Sequence, residues 1–170
     1  LGRGMFTRIR YNAFGEVTER HRFFGLATST QVNTAAAVGF TSGPVAPSSS
    51  DQVQSFVYNS RGWLIRETVV SGTEGSDHSG WNDITTVYDY DLAGNRTEVK
   101  TGDLDASGAT RFGGTAYTAK TEYDARGLVI KETAANGLCT WYERNASGQV
   151  TLRWSGAEGT TFLSAKVYTW

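Results

Sequence analysis

A chain of 170 residues with a formal net charge of −1 has the size of one domain and lacks the basic footprint needed to bind a nucleic-acid backbone or an anionic membrane. Its 20 Gly against 2 Pro, with 12% aromatic residues, describe a β-rich chain with many turns. The single cysteine, Cys139, excludes an internal disulfide and leaves the redox compartment open, and no run of 18 or more apolar residues offers a spanning helix.

The opening "LGRGMFTRIRYNAFG" has no apolar core followed by a cleavage site, so no signal peptide is visible. Leu1 reads as mid-strand and Met5 is internal, so the expectation is a fragment of something longer. The first strand leads into "YNAFGEVTER", where Tyr11, Asn12 and Gly15 mark a tight turn. The following segment, 27–55, is small and polar and holds both prolines. It reads as an irregular insertion, with an edge hairpin at Thr30–Thr41 and a loop at Ser42–Ser50.

The turn phrase returns as "FVYNSRGWLIRET", with Tyr58, Asn59 and Gly62, and as "VYDYDLAGNRTEV", with Tyr90, Asp91 and Gly94. It returns again as "TEYDARGLVIKET", with Tyr123, Asp124 and Gly127. A degenerate copy, "YERNASGQV", keeps Asn145 and Gly148 but has Arg144 in the tyrosine position. The anchoring glycines are separated by 47, 32, 33 and 21 residues, so the unit is fixed in its turn and elastic in its loops. An internal repeat of this kind decides the fold before any single residue does.

The physics of the phrase is that of a hairpin tip. An Asp or Asn side chain accepts hydrogen bonds from backbone N–H groups two residues on, the next two positions are unconstrained, and Gly supplies a left-handed conformation that bulges into the returning strand. After Gly127 the pattern alternates, with Leu128, Ile130 and Glu132 on one face and Val129, Lys131 and Thr133 on the other. Between tips, Asp105–Gly108 repeats the turn with Leu104 in the tyrosine position, Asn136-Gly137 is a short hairpin signal, and Ser71–Gly80 and Ser155–Gly159 read as loops. The fold expected is all-β, an antiparallel meander of hairpins. "KVYTW" at Lys166–Trp170 is a strand that stops where a tip should begin, so both ends of 1–170 look cut within a repeat.

These phrases resemble the YD repeat of Rhs proteins, of the C component of ABC-type insecticidal toxin complexes, and of the teneurins. The resemblance implies that the hairpins form an arc of a spiralling β-shell, and that the chain is a structural scaffold segment of a protein whose shell encloses and delivers a toxin or other polypeptide cargo. It also implies neighbouring YD repeats of the same full-length protein and an encapsulated C-terminal cargo domain as partners, and a secreted or bacterial cell-surface location. Rhs shells end in a self-cleavage segment with an Asp-Pro motif. Here Gly43 precedes Pro44 and Ala46 precedes Pro47, so that segment is not in this chain. The teneurin branch implies a different class of function, an extracellular adhesion or carbohydrate-binding surface.

Individual residues have competing readings. The repeat tyrosines, Tyr11, Tyr58, Tyr90 and Tyr123, could stack on sugars, or each could pack across its own hairpin as a cross-strand pair contributing about 0.2–1 kcal/mol. Their recurrence at every turn favours architecture. "DLDASG" at Asp103–Gly108 opens like a calcium loop, but its twelfth position is Gly114, not Glu. Asp77, His78 and Asp83 cluster in a Gly/Ser loop without metal-ligand spacing. Cys139 reads as a small buried hydrophobe, and Arg66-Glu67 and Lys131-Glu132 as solvated strand charges. No catalytic residue, cofactor or metal is expected.

Overall fold

Each Asp-x-x-Gly or Asn-x-x-Gly phrase closes a hairpin. The computed structural model describes residues 3–28, 51–71, 83–111, 115–159 and 162–169. Eleven strands follow one another: β1 (Arg3–Tyr11), β2 (Val17–Thr28), β3 (Gln52–Tyr58), β4 (Leu64–Ser71), β5 (Ile84–Tyr90), β6 (Arg96–Gly102), β7 (Ala116–Tyr123), β8 (Val129–Thr133), β9 (Leu138–Arg144), β10 (Val150–Ala157) and β11 (Phe162–Val167). Their order in the sheet is their order along the chain. This is the antiparallel meander that the turn spacing predicts.

The hairpin expected at Thr30–Thr41, the loop at Ser42–Ser50 and the Asp77-His78 loop lie outside the described residues. Ala27 and Thr28 complete β2, and Gln52–Ser55 open β3, so strand occupies both ends of the segment read as irregular.

The chain divides into two units, Leu1–Thr85 and Thr86–Trp170. In the first, Arg8 faces His21 across β1 and β2, His21 faces Val53 on β3, and Val53 faces Val70 on β4. Arg8, His21 and Val70 are buried, together with Phe23 and Asp51. This core is more polar than an alternating apolar pattern suggests, and Arg8 and Asp51 are each hydrogen-bonded to His21 within it.

In the second unit Trp141 and Trp154 lie directly opposite each other on β9 and β10, with ring centroids 5.9 Å apart and planes within 10°. Such an aromatic pair contributes about 0.5–1.5 kcal/mol beyond its buried area. Lys131, opposite Trp141 on β8, has its ammonium 5.9 Å from that ring centroid and pairs with Glu158 at 2.6 Å and Glu122 at 3.2 Å. Its side chain is packed into this network, unlike the solvated charge that the sequence suggests.

Of two further turns, one is as the sequence signals and one is not. Asn136-Gly137 closes the β8–β9 hairpin as the sequence signals, with Ala134 N–H donating to Leu138 O at 2.8 Å and Gly137 N–H donating to Ala134 O at 2.9 Å. The loop thus opens at Ala134 and uses the backbone pattern of the tips without a side-chain acceptor at its head. Ser155–Ala157, read as loop, completes β10. The Asp105–Gly108 turn is as expected in its bonding, and it closes a small excursion bridged by Leu104 and Thr110. Lys100 Nζ donates to Gly108 O at 2.7 Å, which holds the excursion against β6, and Leu104 is buried.

Candidate functional site: a ladder of hairpin tips

Asp124 shows how a tip is built. Its own N–H donates to Leu128 O and Gly127 N–H donates to Asp124 O, both at 2.9 Å, while its Oδ1 accepts from Arg126 N and Leu128 N, also at 2.9 Å. One carboxylate oxygen therefore ties both the middle and the far side of the turn. Asn12, Asn59 and Asp91 make the same four bonds at their own tips, and Asn145 accepts from Gln149 N at 3.0 Å. The anchoring glycines have φ from 76° to 95°, a left-handed region in which a Cβ costs roughly 1–2 kcal/mol.

Beyond Gly15, Gly62, Gly127 and Gly148 the returning strand carries one extra residue. Tyr11 faces Val17 while Arg10 faces Glu19, so Thr18 is the surplus residue. In the same way Ile65, Ile130 and Thr151 are skipped between Tyr58 and Leu64, Tyr123 and Val129, and Arg144 and Val150 and their next pairs. The second bulge falls three residues after the glycine in every case, and a bulge strengthens the local twist. Alternation alone does not reveal it, because Thr, Ile and Val suit either face of a strand.

Two of the repeat tyrosines, which face Leu64 and Val129 across their own hairpins, carry their hydroxyls to the neighbouring one. Tyr58 O–H donates to Val17 O at 3.0 Å, and Tyr123 O–H donates to Arg96 O at 3.0 Å. Each acceptor is the residue two beyond the glycine of the preceding tip. Arg144, in the tyrosine position of the degenerate copy, sends Nε and Nη2 to Val129 O at 3.3 Å each, which is the same position again. A ring standing at the end of its strand reaches past its facing partner, so the hydroxyl finds a carbonyl on the neighbouring hairpin. Tyr90 is half-buried at the head of its tip, and Tyr11 is 60% exposed.

The glycines meet the preceding tip as well. A Cβ on Gly62 would lie 2.9 Å from Glu16 Oε1, one on Gly127 3.5 Å from Asn95 Oδ1, and one on Gly148 3.2 Å from Leu128 Cδ1. Glu16, Asn95 and Leu128 each follow the glycine of the tip before. Arg126 Nη1 adds a bond to Ala146 O at 2.9 Å. Within each unit, consecutive tips therefore interlock at Gly62, Gly127 and Gly148 through a donor onto a carbonyl and a side chain onto a glycine.

Electrostatics supports the same geometry. Asp91 is held below the ordinary aspartate range, chiefly by Asn95 Nδ2, Asp124 by the Leu128 N–H, and Asp105 by the Ser107 hydroxyl. Asp105 Oδ1 accepts from Ser107 N, Ser107 Oγ and Ala109 N, so this carboxylate oxygen is turned into its own loop. Among the described residues no group of three His, Cys, Asp or Glu is placed to hold a metal ion.

One cluster was not legible in the sequence. His21 Nε2 lies 3.3 Å from Asp51 Oδ2, Arg8 Nη2 lies 3.3 Å from His21 Nδ1 and 2.8 Å from Glu19 Oε1, and Asp51 Oδ1 accepts from Phe24 N at 2.9 Å. Phe23 stacks on the imidazole with centroids 3.8 Å apart. Arginine only donates, so His21 Nδ1 carries the lone pair and Nε2–H donates to Asp51. His21 and Asp51 are fully buried, and nothing in the spacing from 21 to 51 signals that they meet.

No family model matches the sequence, and no curated protein matches it significantly. In three dimensions the chain matches one in the Photorhabdus luminescens Tc holotoxin pore, with 15% identity and a TM-score of 0.64 over 99% of this chain and 7% of that one. TcdB2–TccC3 matches with 16% identity and a TM-score of 0.62, over 96% of this chain and 7% of its own. TcdB2–TccC3–TEV matches with 15% identity and a TM-score of 0.63, over the same shares. This chain has the fold of a Tc toxin segment. It spans about 7% of the length of the Tc toxin chains it matches, so the meander described above is a small part of such a protein.

Proposed function

We propose that the chain is a structural scaffold segment of a YD-repeat, Rhs-like protein whose β-shell encloses and delivers a toxin or other polypeptide cargo. The observation that carries this is the match of 99% of the chain to the Tc holotoxin pore, in a sequence whose repeat phrases already point to the same class. The interlocked tips supply the mechanism. Three tips are fixed to the ones before them, and repeats joined in this way add in register to a wall that excludes proteases and bystander molecules by geometry alone. No step requires catalysis by these residues. On this reading the partners are neighbouring repeats of the same polypeptide and an enclosed cargo domain, and the protein is secreted or displayed on a bacterial surface.

Electron microscopy and limited proteolysis of the full polypeptide containing this chain test the reading. The expected result is a hollow particle holding a segment that resists protease until the wall is unfolded. A solid or extended particle, or an internal segment cleaved equally fast before and after unfolding, overturns it. Glycan binding by a particle that encloses nothing assigns the protein to adhesion instead.

A further inference from the structure

Three cations of the sheet face acids across a strand pair. Arg10 faces Glu19 at 3.0 Å, Lys120 faces Glu98 at 3.2 Å, and Lys131 faces Glu122 at 3.2 Å. Arg153 on β10 instead faces Lys166 on β11. Both are exposed, and neither makes an ion pair among the described residues. Like charges directly opposite each other destabilise an antiparallel pair, so this arrangement works against the fold. Tyr142 on β9 faces Arg153 from the other side. The Arg144 and Arg153 guanidiniums lie 5.7 and 5.9 Å from its ring centroid, and Lys166 Nζ lies 5.1 Å from that of Tyr168. Glu132, on the same face, is taken by the Tyr142 O–H.

We propose that Arg153 and Lys166 form a binding site for a carboxylate, that of an Asp or Glu in a polypeptide segment lying on this face of the sheet. The shell reading supplies that polypeptide, the enclosed cargo, and the proposal rests on it for the occupant. A carboxylate has two oxygens in one plane, and the guanidinium fork of Arg153 meets them while the Lys166 ammonium approaches from the next strand. It also removes the repulsion between the two cations. Other anions fit less well. The backbone N–H groups here are committed to the ladder on both sides of β10, so a phosphate finds few donors for its further oxygens. A sugar acid needs hydroxyl partners and a free ring, but Thr140 Oγ1 and Ser155 Oγ, next along the face, bond each other at 3.3 Å, and both tyrosine rings already carry cations. Two facing cations are too few to hold a nucleic-acid backbone.

The test is an NMR titration of the chain with acetyl-Gly-Glu-Gly amide, against acetyl-Gly-Gln-Gly amide as the neutral control. Saturable shifts at Arg153 and Lys166 are expected with the glutamate peptide and none with the control. Arg153→Gln or Lys166→Gln weakens binding about threefold or more, and raising the salt to about 0.5 M does the same. Lys166→Glu sets an acid opposite Arg153, so it abolishes binding while the melting midpoint holds or rises, which separates lost binding from lost folding. In the full polypeptide, a carbodiimide, which couples a carboxylate to an amine without a spacer, is expected to link Lys166 to an Asp or Glu of the cargo. Equal shifts with the control peptide overturn the site, as does undiminished binding by Lys166→Glu, or tighter binding of inorganic phosphate or galacturonate than of the glutamate peptide. Links from Lys166 to wall residues alone overturn the cargo as its occupant. Failure of the shell reading registers instead in the proteolysis of the full polypeptide and leaves the titration of the chain unchanged.

Discussion

The guanidinium of Arg144 donates through Nε and Nη2 to the carbonyl oxygen of Val129, the same acceptor position that tyrosine hydroxyls use at two other joints. Arg and Tyr differ in charge and shape, yet both project a donor far enough to cross to the neighbouring tip. Arg144→Tyr is therefore expected to keep the joint and Arg144→Ala to break it. A hydrogen bond of this kind contributes about 0.5–1.5 kcal/mol, which in a chain of this size is a loss of about 1–6 °C in melting midpoint. Equal midpoints for the Ala and Tyr variants would show that the bond contributes nothing.

The tip glycines should differ among themselves. Gly15→Ala and Gly148→Ala both place a Cβ at a φ near +83° or +84°, costing about 1–2 kcal/mol each. At Gly148 the Cβ also stands 3.2 Å from Leu128 Cδ1, while at Gly15 no described residue lies within 4 Å. Gly148→Ala is expected to be the more destabilising in denaturant unfolding, and Leu128→Ala in the same chain should return part of the difference. If the two glycine variants unfold together, the contact between tips adds nothing to the backbone strain.

Much of this was readable from residues. Asn12, Asn59, Asp91, Asp124 and Asn145 could be placed at turns because the acceptor and the glycine lie three residues apart, and local chemistry of that span needs no tertiary context. The direction of Tyr58 and Tyr123 was not readable. Which carbonyl a hydroxyl reaches depends on the neighbouring hairpin, and the extra residue after each glycine helps to set that geometry. The Asn136-Gly137 pair marked its hairpin, but not where the loop opens. Ala134 carries no side-chain acceptor, so the sequence shows the pair at the end of the loop and hides the residue at its head. The Arg8–His21–Asp51 contact depends on three strands coming into register, and no local pattern encodes that.

Acid should loosen some tips and spare others. Asp91, Asp105 and Asp124 lie below the ordinary aspartate range in the folded chain, because Asn95, Ser107 and the Leu128 N–H respectively lead the bonds to their ionised forms. A depressed folded value gives stabilisation that is present above the unfolded value and lost as pH falls through the folded one. Asn12, Asn59 and Asn145 carry no proton to gain. The midpoint of the native chain is expected to fall between about pH 5 and about pH 2 more steeply than that of the D91N/D105N/D124N variant. Parallel curves would place the acid sensitivity elsewhere.

Asp51 offers the sharpest test of the buried cluster. Its two oxygens accept from His21 Nε2–H and Phe24 N–H in a site without exposed surface. Asp51→Ala leaves both donors unmet, and each buried unsatisfied group costs about 1–3 kcal/mol, so a loss of about 2–6 kcal/mol is expected in equilibrium unfolding. Asp51→Asn should fall between the native chain and the alanine variant. Its amide has one acceptor oxygen, and His21 cannot reverse its tautomer while Arg8 Nη2 occupies Nδ1 at 3.3 Å. Double substitution with His21→Leu should therefore rescue part of the asparagine loss, since it removes the donor that Asn cannot serve. Additive losses in that cycle would mean that His21 and Asp51 stabilise the sheet independently of each other.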